Sequence, residues 1–243
     1  MRKQKERNSI VIIVAYVVLG IISFMCIAPV VLMAVASFTD NDVLNLYGYT
    51  YFPQKWSLEA YEFLIKQGTV ISKSFLNSIL VTFMGTALGI MVTVLLAYTI
   101  SRKELVGRKL IMLFVFFTML FNGGMVPTYL MYTQIFHIKN TMWALLFPHL
   151  LVNGFNVLLV RTFFNENIPE VLLEAARIDG AGEISIFRNV VVPISKPILA
   201  TIGLLVGVGY WNDWYNGLLF VTDVNYYTCL LYTSDAADDM QCV

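Results

Sequence analysis

Residues 161–197 read RTFFNENIPEVLLEAARIDGAGEISIFRNVVVPISKP and form a polar island between two apolar segments. Glu174-Ala175-Ala176 stands at its centre, followed by Asp179-Gly180-Ala181 and then by Phe187, Val190, Val192 and Pro193. Apolar positions recur at helical spacing on both sides of Gly180 to Gly182, so the stretch predicts two short helices broken at those glycines. A long polar loop in a membrane protein exists to touch something outside the bilayer. An elbow of this kind presents one knob of surface to a partner.

The chain around this loop is apolar. Hydrophobic residues make up 58% and charged residues 13%, against about 25% charged in soluble domains. Mean hydropathy is +0.71. The apolar residues gather into runs of about 20, the length a bilayer requires. Five spans are expected, at about Ile10–Ala36, Phe75–Ile100, Leu110–Tyr132, Thr141–Val160 and Ile198–Phe220. The fold class is therefore all-α, a polytopic transmembrane helical bundle. A cleaved signal peptide is the competing reading of the first run, but that run extends well past the roughly 7–15 residues of a signal's apolar region. It is read as a retained anchor.

Lys and Arg placement orients the spans. Arg2, Lys3, Lys5 and Arg7 at the N-terminus, Arg102, Lys103, Arg108 and Lys109 after the second span, and Arg161, Arg177, Arg188 and Lys196 in the polar island all fall on one side. That side is the cytoplasm, with the segment from Phe38 to Ser74 outside. The expected location is the bacterial plasma membrane, multi-pass, with a cytoplasmic N-terminus.

EAARIDGA followed by F-x-x-V-x-V-P resembles the cytoplasmic loop of permease subunits of ABC importers. Glu174, Ala175, Ala176, Asp179, Gly180, Ala181 and Pro193 match that pattern, with Phe187 beside them; Val190 and Val192 stand where Ile and Leu are commoner. The resemblance implies that this loop inserts into a groove on an ATP-hydrolysing subunit and couples ATP turnover to movement of the membrane helices. It is nearest to the maltose-type carbohydrate branch, and Phe121-Asn122-Gly-Gly-Met-Val-Pro-Thr-Tyr129 is similar to permeases for complex oligosaccharides of the aldouronate type. The implied partners are a second homologous permease, two ATP-binding subunits, an extracytoplasmic solute-binding protein, a sugar and membrane lipid; no nucleic acid is expected.

Gly85-x-x-x-Gly89 and Gly203-x-x-x-Gly207 supply small faces for close helix packing. Asn122 to Pro127 interrupts the third span, and backbone groups freed there must face protein or a watery cavity. Asn122, Asn153, Asn156, Trp211 and Asn212 are candidates for a solute path, because flat rings beside amides suit sugars. The cluster Trp211 to Asn216 is read first as an aromatic belt or packing feature near the outer end of the fifth span, and second as a solute site.

Little else in the sequence carries chemistry. There is no G-x-x-x-x-G-K-[ST] run, so ATP is expected on a separate subunit and no cofactor on this one. H-E-x-x-H is absent. His137 and His149 are far apart in the expected topology, and Cys26, Cys229 and Cys242 offer neither metal-ligand spacing nor a disulfide framework; no catalytic or metal site is expected. Only Asp213 approaches an intramembrane carboxylate, which argues against an ion-coupled carrier. The other readings are that carrier and a non-transporting scaffold or receptor-like protein. Residues 1–228 are expected as the transmembrane permease domain with its coupling loop at 161–197. Residues 229–243 change character into an acidic, non-helical stub, read as truncated or foreign sequence in place of a sixth span.

Overall fold

The computed structural model describes residues 2–148 and 151–234, so the expectations for His149 and for residues 235–243 fall outside it. The chain divides into two compact units, 1–70 and 71–243. In the first, helix α1 (Arg2–Ser37) runs through Pro29 without a break. Its segment Val11–Ser37 has mean hydropathy 2.9 with none of it buried inside the chain. A helix apolar on all sides and covered by nothing of its own is matched to hydrocarbon. The rest of this unit is a small polar fold. Asp40 caps α2 (Asn41–Tyr47) by accepting from the Asp42 N–H at 3.2 Å. Its carboxylate also pairs with Lys55 at 2.5 Å, while Thr39 bridges to Trp56. The Lys55 hydrogen bond holds the Asp40 carboxyl below its ordinary range. Helix α3 (Glu59–Lys66) returns Tyr61 to Ser37, with their hydroxyls 3.0 Å apart.

The second unit is built on α4 (Gly68–Ser101). After it come α5 (Arg108–Leu120), α6 (Met125–Leu130, continued by a π turn to Ile135), α7 (Met142–Leu146) and α8 (Gly154–Asn167). The chain goes on through α9 (Glu170–Ile178), α10 (Glu183–Ile186), α11 (Val192–Ile194), α12 (Lys196–Trp211) and α13 (Tyr215–Phe220). Among the described residues there is no strand beyond the single Thr39–Trp56 bridge. Val94, Ala97 and Ile100 of α4, Val157, Val160 and Phe164 of α8, and Ile202 and Val206 of α12 form the buried centre.

The two glycine pairs meet across one interface, as close packing requires. A methyl at Gly85 would lie 2.5 Å from the Tyr210 ring and one at Gly89 3.0 Å from Val206. Added at Gly203 it would lie 3.2 Å from Ile90, and at Gly207 3.3 Å from Thr86. Position numbers rise on α4 as they fall on α12, so the helices run antiparallel. Each row sets a glycine against a larger side chain. This is the small-residue route to helix association where lipid removes the hydrophobic drive.

The expected spans differ in continuity. Two helices are long and apolar enough to cross a membrane, or up to four if each bent pair is one span. The third expected span is a bent pair: α5 meets the α6 segment at 116°. Gly124 sits there at φ +84°, a conformation that glycine adopts without the Cβ clash, and Pro127 removes a donor from the turn that follows. The fourth is broken between α7 and α8. Its freed carbonyls are met from the fifth segment: Tyr210 Oη donates to the Leu146 carbonyl at 2.8 Å and Asn216 Nδ2 to that of Pro148 at 3.0 Å. The fifth ends as a straight helix at Trp211, where Asp213 accepts from the Asn216 N–H at 3.2 Å and from Asn216 Nδ2 at 2.7 Å and so starts α13.

One expectation needs correction. Residues 229–234 are helical, not irregular. The Cys229 N–H donates to Ser78 Oγ at 2.8 Å, and Leu231 is buried 3.0 Å from where a Gly217 Cβ would stand. The short helix is anchored by Leu231, within the mostly apolar run Cys229-Leu230-Leu231-Tyr232.

Candidate functional site

The elbow forms as its pattern predicts. Pro169, in extended conformation, starts α9, and Leu173 turns its buried side to the core while Val171, Leu172, Glu174 and Ala175 face outward. The helix ends in a closed cap. The Ala181 N–H donates to the Ala176 carbonyl and the Gly180 N–H to that of Arg177, each at 3.0 Å. This paired bonding needs a left-handed residue at the turn. Gly180 provides it at φ +81°, with open space where a Cβ would be. Conformation, not room, demands glycine here. Gly182 then opens α10, and Ile186 and Val191 bury the following turn while Phe187 and Val190 pack at its edge. Pro193 is exposed in α11. Ser195, fully buried, bonds back to the Val191 carbonyl at 2.7 Å, and the chain bends by 82° into α12.

Charges divide sharply around the elbow. Arg177 donates from Nη1 to Glu104 Oε1 at 2.8 Å, and from Nε and Nη2 to Glu183 Oε1 at 2.9 Å. Glu183 Oε2 accepts from the Tyr98 hydroxyl at 2.8 Å, and the Arg102 guanidinium lies 4.6 Å over the Tyr98 ring. Lys103 pairs with Glu170 at 2.7 Å. The hydrogen bond from Arg177 holds the Glu104 carboxyl below its ordinary range, and the two carboxylates raise Arg177 in turn. By contrast, Glu174 and Asp179 are exposed and have no ion pair or hydrogen bond to their side chains among the described residues. Beside them Ile178 is 86% and Ile184 83% exposed. The result is an apolar knob with two unpaired carboxylates at its rim.

Of the residues singled out for coupling, Glu174, Ala175, Ala176, Asp179, Gly180 and Ala181 lie together on the C-terminal end of α9 and its cap. Phe187 packs inward at 5.0 Å from Tyr98, and Pro193 lies further along the exposed edge. The solute-path candidates do not converge in this way. Asn122 Oδ1 accepts from Gly124 N, Asn153 caps α8 by accepting from Phe155 N and Asn156 N, and Asn212 Nδ2 donates to the Val208 carbonyl. These three amides serve their own backbone turns. Trp211 is half exposed and meets Phe75 edge-on at 5.9 Å, and Asn156 is buried. A cavity of about 560 Å³ lies between the turn after α6 and the α7–α8 break. It is lined by Met131, Tyr132, Phe136, Phe147 and Leu151 and by none of those five candidates. Such a lining offers little to hydroxyls. Among the described residues no three of His, Cys, Asp and Glu gather as metal ligands.

Sequence reasoning missed Tyr98, Glu104 and Glu183 as parts of this site, and counted Arg177 only for orientation. Glu104 lies 73 residues from Arg177 and Tyr98 lies 85 residues from Glu183, so no local spacing reveals those contacts; Glu183, six residues from Arg177, was the one within local reach.

A broken α4-centred bundle with an exposed elbow defines a multi-helix membrane permease, and comparison with known proteins gives the same class. Residues 85–225 match the family described as the binding-protein-dependent transport system inner membrane component. The chain belongs to that family of transport permeases. It is 36% identical over 217 residues to the polygalacturonan/rhamnogalacturonan transport system permease protein YtcP of Bacillus subtilis, covering 89% of this chain and 74% of that one. Protein LplC of the same organism is 36% identical over 205 residues, covering 84% of this chain and 68% of its own. The crystal structure of a bacterial ABC transporter involved in import of the acidic polysaccharide alginate superposes with a TM-score of 0.81 at 28% identity, over 90% of this chain and 77% of that one. The chain is thus a permease subunit of an ABC importer, which sets aside the scaffold and secondary-carrier readings.

Proposed function

We propose that this subunit passes a sugar or oligosaccharide inward across the plasma membrane, and that Glu174, Ala175, Ala176, Asp179, Gly180 and Ala181 dock it to a separate ATPase. The observation that carries the coupling role is the knob: exposed Ile178 and Ile184, rimmed by the unpaired Glu174 and Asp179, on a turn locked by its own backbone bonds. Isolated apolar side chains in water are ordinary. Two large exposed ones flanking a capped turn, with unpaired carboxylates on the same turn, fit a partner groove that is greasy at the floor and basic at the rim. ATP binds there on the partner, and this chain holds no cofactor. Phe187 seats the elbow, and Pro193 lies on its exposed margin.

The full importer on this reading comprises a second homologous permease, two ATP-binding subunits and an extracytoplasmic solute-binding protein. The N-terminus, residues 102–109 and the elbow face the cytoplasm, as their Lys and Arg content favours. Transport systems named for polygalacturonan/rhamnogalacturonan and for alginate among the similar proteins support the sugar class. Asn156 and Trp211 are the path candidates whose side chains are not committed to a backbone turn. The deciding experiment places Glu174→Lys in the complex reconstituted with its ATPase and binding protein. Insertion should be normal, and ATPase activity stimulated by loaded binding protein should be lost. Undiminished stimulation would overturn the assignment.

A further inference from the structure

We propose that Arg177 is a positioning residue: it clasps the docking elbow to the cytoplasmic end of α4, so that a push on the knob reaches the glycine-packed α4–α12 pair as one rigid movement. The proposal rests on the docking role argued above. Arg177 meets two carboxylates directly, and one of them, Glu183, carries the contact on to Tyr98 of α4. Arg177 is in the last turn of α9, Glu183 opens α10, Tyr98 lies on the last turn of α4, and Glu104 stands in the loop leading to α5. The guanidinium fork uses Nε and Nη2 on one carboxylate and Nη1 on another, the planar geometry that lysine cannot reproduce.

The path continues without a gap. Tyr98, whose hydroxyl holds Glu183, packs its ring on Phe187 at 5.0 Å and on Phe164 of α8 at 6.5 Å. Lys103–Glu170 fastens the other end of α9 to the same loop. The elbow's backbone bonds fix its internal shape but not its attitude to α4; only side chains do that. A coupling element with a floating attitude would let ATPase closure be absorbed locally. Arg177 and Glu183 point toward the bundle, Glu174 and Asp179 away from it. The two sets of charges divide the labour between transmitting and docking.

The test uses the reconstituted importer with its ATPase subunits and solute-loaded binding protein. Arg177→Gln and Arg177→Lys are compared with Glu174→Lys and wild type. For Arg177→Gln we expect ATPase subunits to co-purify in wild-type ratio and basal hydrolysis to persist. Stimulation by loaded binding protein should fall about tenfold, within the usual range of inter-site coupling. Arg177→Lys should restore only part of it, because one ammonium cannot hold both carboxylates. A double-mutant cycle of Arg177→Gln with Glu104→Gln should show non-additive loss of stimulation. Two results would overturn the clasp: full stimulation in Arg177→Gln, or a loss traced wholly to lowered assembly with normal stimulation per assembled complex. The underlying docking role fails separately, if Glu174→Lys itself keeps full stimulation.

Discussion

Gly85→Ala is the smallest change that probes the α4–α12 interface. The new methyl would stand 2.5 Å from Cζ of Tyr210 and 2.6 Å from both Cε atoms, inside any tolerated contact. Tyr210 is 3% exposed and its hydroxyl is tied to the Leu146 carbonyl, so the ring cannot swing aside without breaking that bond. Overpacking costs about 1–3 kcal/mol, and the lost hydrogen bond about 1 kcal/mol more. Replacing glycine inside a helix returns roughly 0.5–1 kcal/mol. The net expectation is a loss of about 1–3.5 kcal/mol. Gly154→Ala is the control. Its methyl would lie 2.6 Å from Cγ of Met119, nearly the same clash on paper, but that side chain is flexible and 44% exposed. It should move away, leaving only the Val115 carbonyl at 3.3 Å to give by a few tenths of an ångström, so the loss should be smaller than for Gly85→Ala, about 1 kcal/mol. Unfolding in mixed detergent micelles, followed by tryptophan fluorescence, ranks the two. In a Tyr210→Leu background the extra cost of Gly85→Ala should vanish. Equal stability of Gly85→Ala and Gly154→Ala, or an unchanged penalty without the ring, would refute the interlocked-glycine account.

Further outcomes concern the cytoplasmic side. Cysteines placed at Val106 and Ser185 should react with an impermeant maleimide only from the cytoplasm, and one at Glu59 only from outside; outside labelling at Ser185 would remove the elbow from any ATPase. The Glu104 carboxyl, held low by Arg177, contributes its tie fully above its unperturbed value of 4.5 and loses it as pH falls through the depressed folded value. A spin label at Val106 should therefore be immobilised at neutral pH and loosen only below about pH 4.5, whereas in Glu104→Gln it should be loose throughout. Gly180→Val should strain the φ +81° turn and lower stimulated ATPase activity with Glu174→Lys-like insertion, read by the same reconstituted assay.

The sequence was most legible where one local rule acted alone. Apolar run length marks α1 and α4, and Asp-Gly-Ala after a helical pattern marks the elbow, because cap geometry is set within six residues. The paired glycines at spacing four could be read as packing faces, though not that they face each other. Local pattern failed where distant groups supply what a segment lacks. The α7–α8 break looked like one span because Tyr210 and Asn216, the donors that make it tolerable, lie 64 and 68 residues away in the chain. Asn122, Asn153 and Asn212 drew attention as amides in apolar surroundings. Their side chains prove to be spent on nearby backbone, the commonest fate of an asparagine beside a helix end.

Helix breaks and the elbow follow from one physical demand. Every freed backbone group in a bundle must find a partner, since lipid offers none. Here most partners come from another segment: Tyr210 and Asn216 reach the α7 end and Ser78 of α4 takes the Cys229 N–H, while Asp213 starts α13 from within its own turn. The first three bonds each join two elements where the chain bends. The α4–α12 pair is packed at its middle by the glycine rows, and near Trp211 the same segment is tied to the α7 end by Tyr210 and Asn216. On the proposed docking role, a push entering at the Arg177 clasp reaches α4 at its last turn through Glu183 and Tyr98, and α12 across an 82° bend.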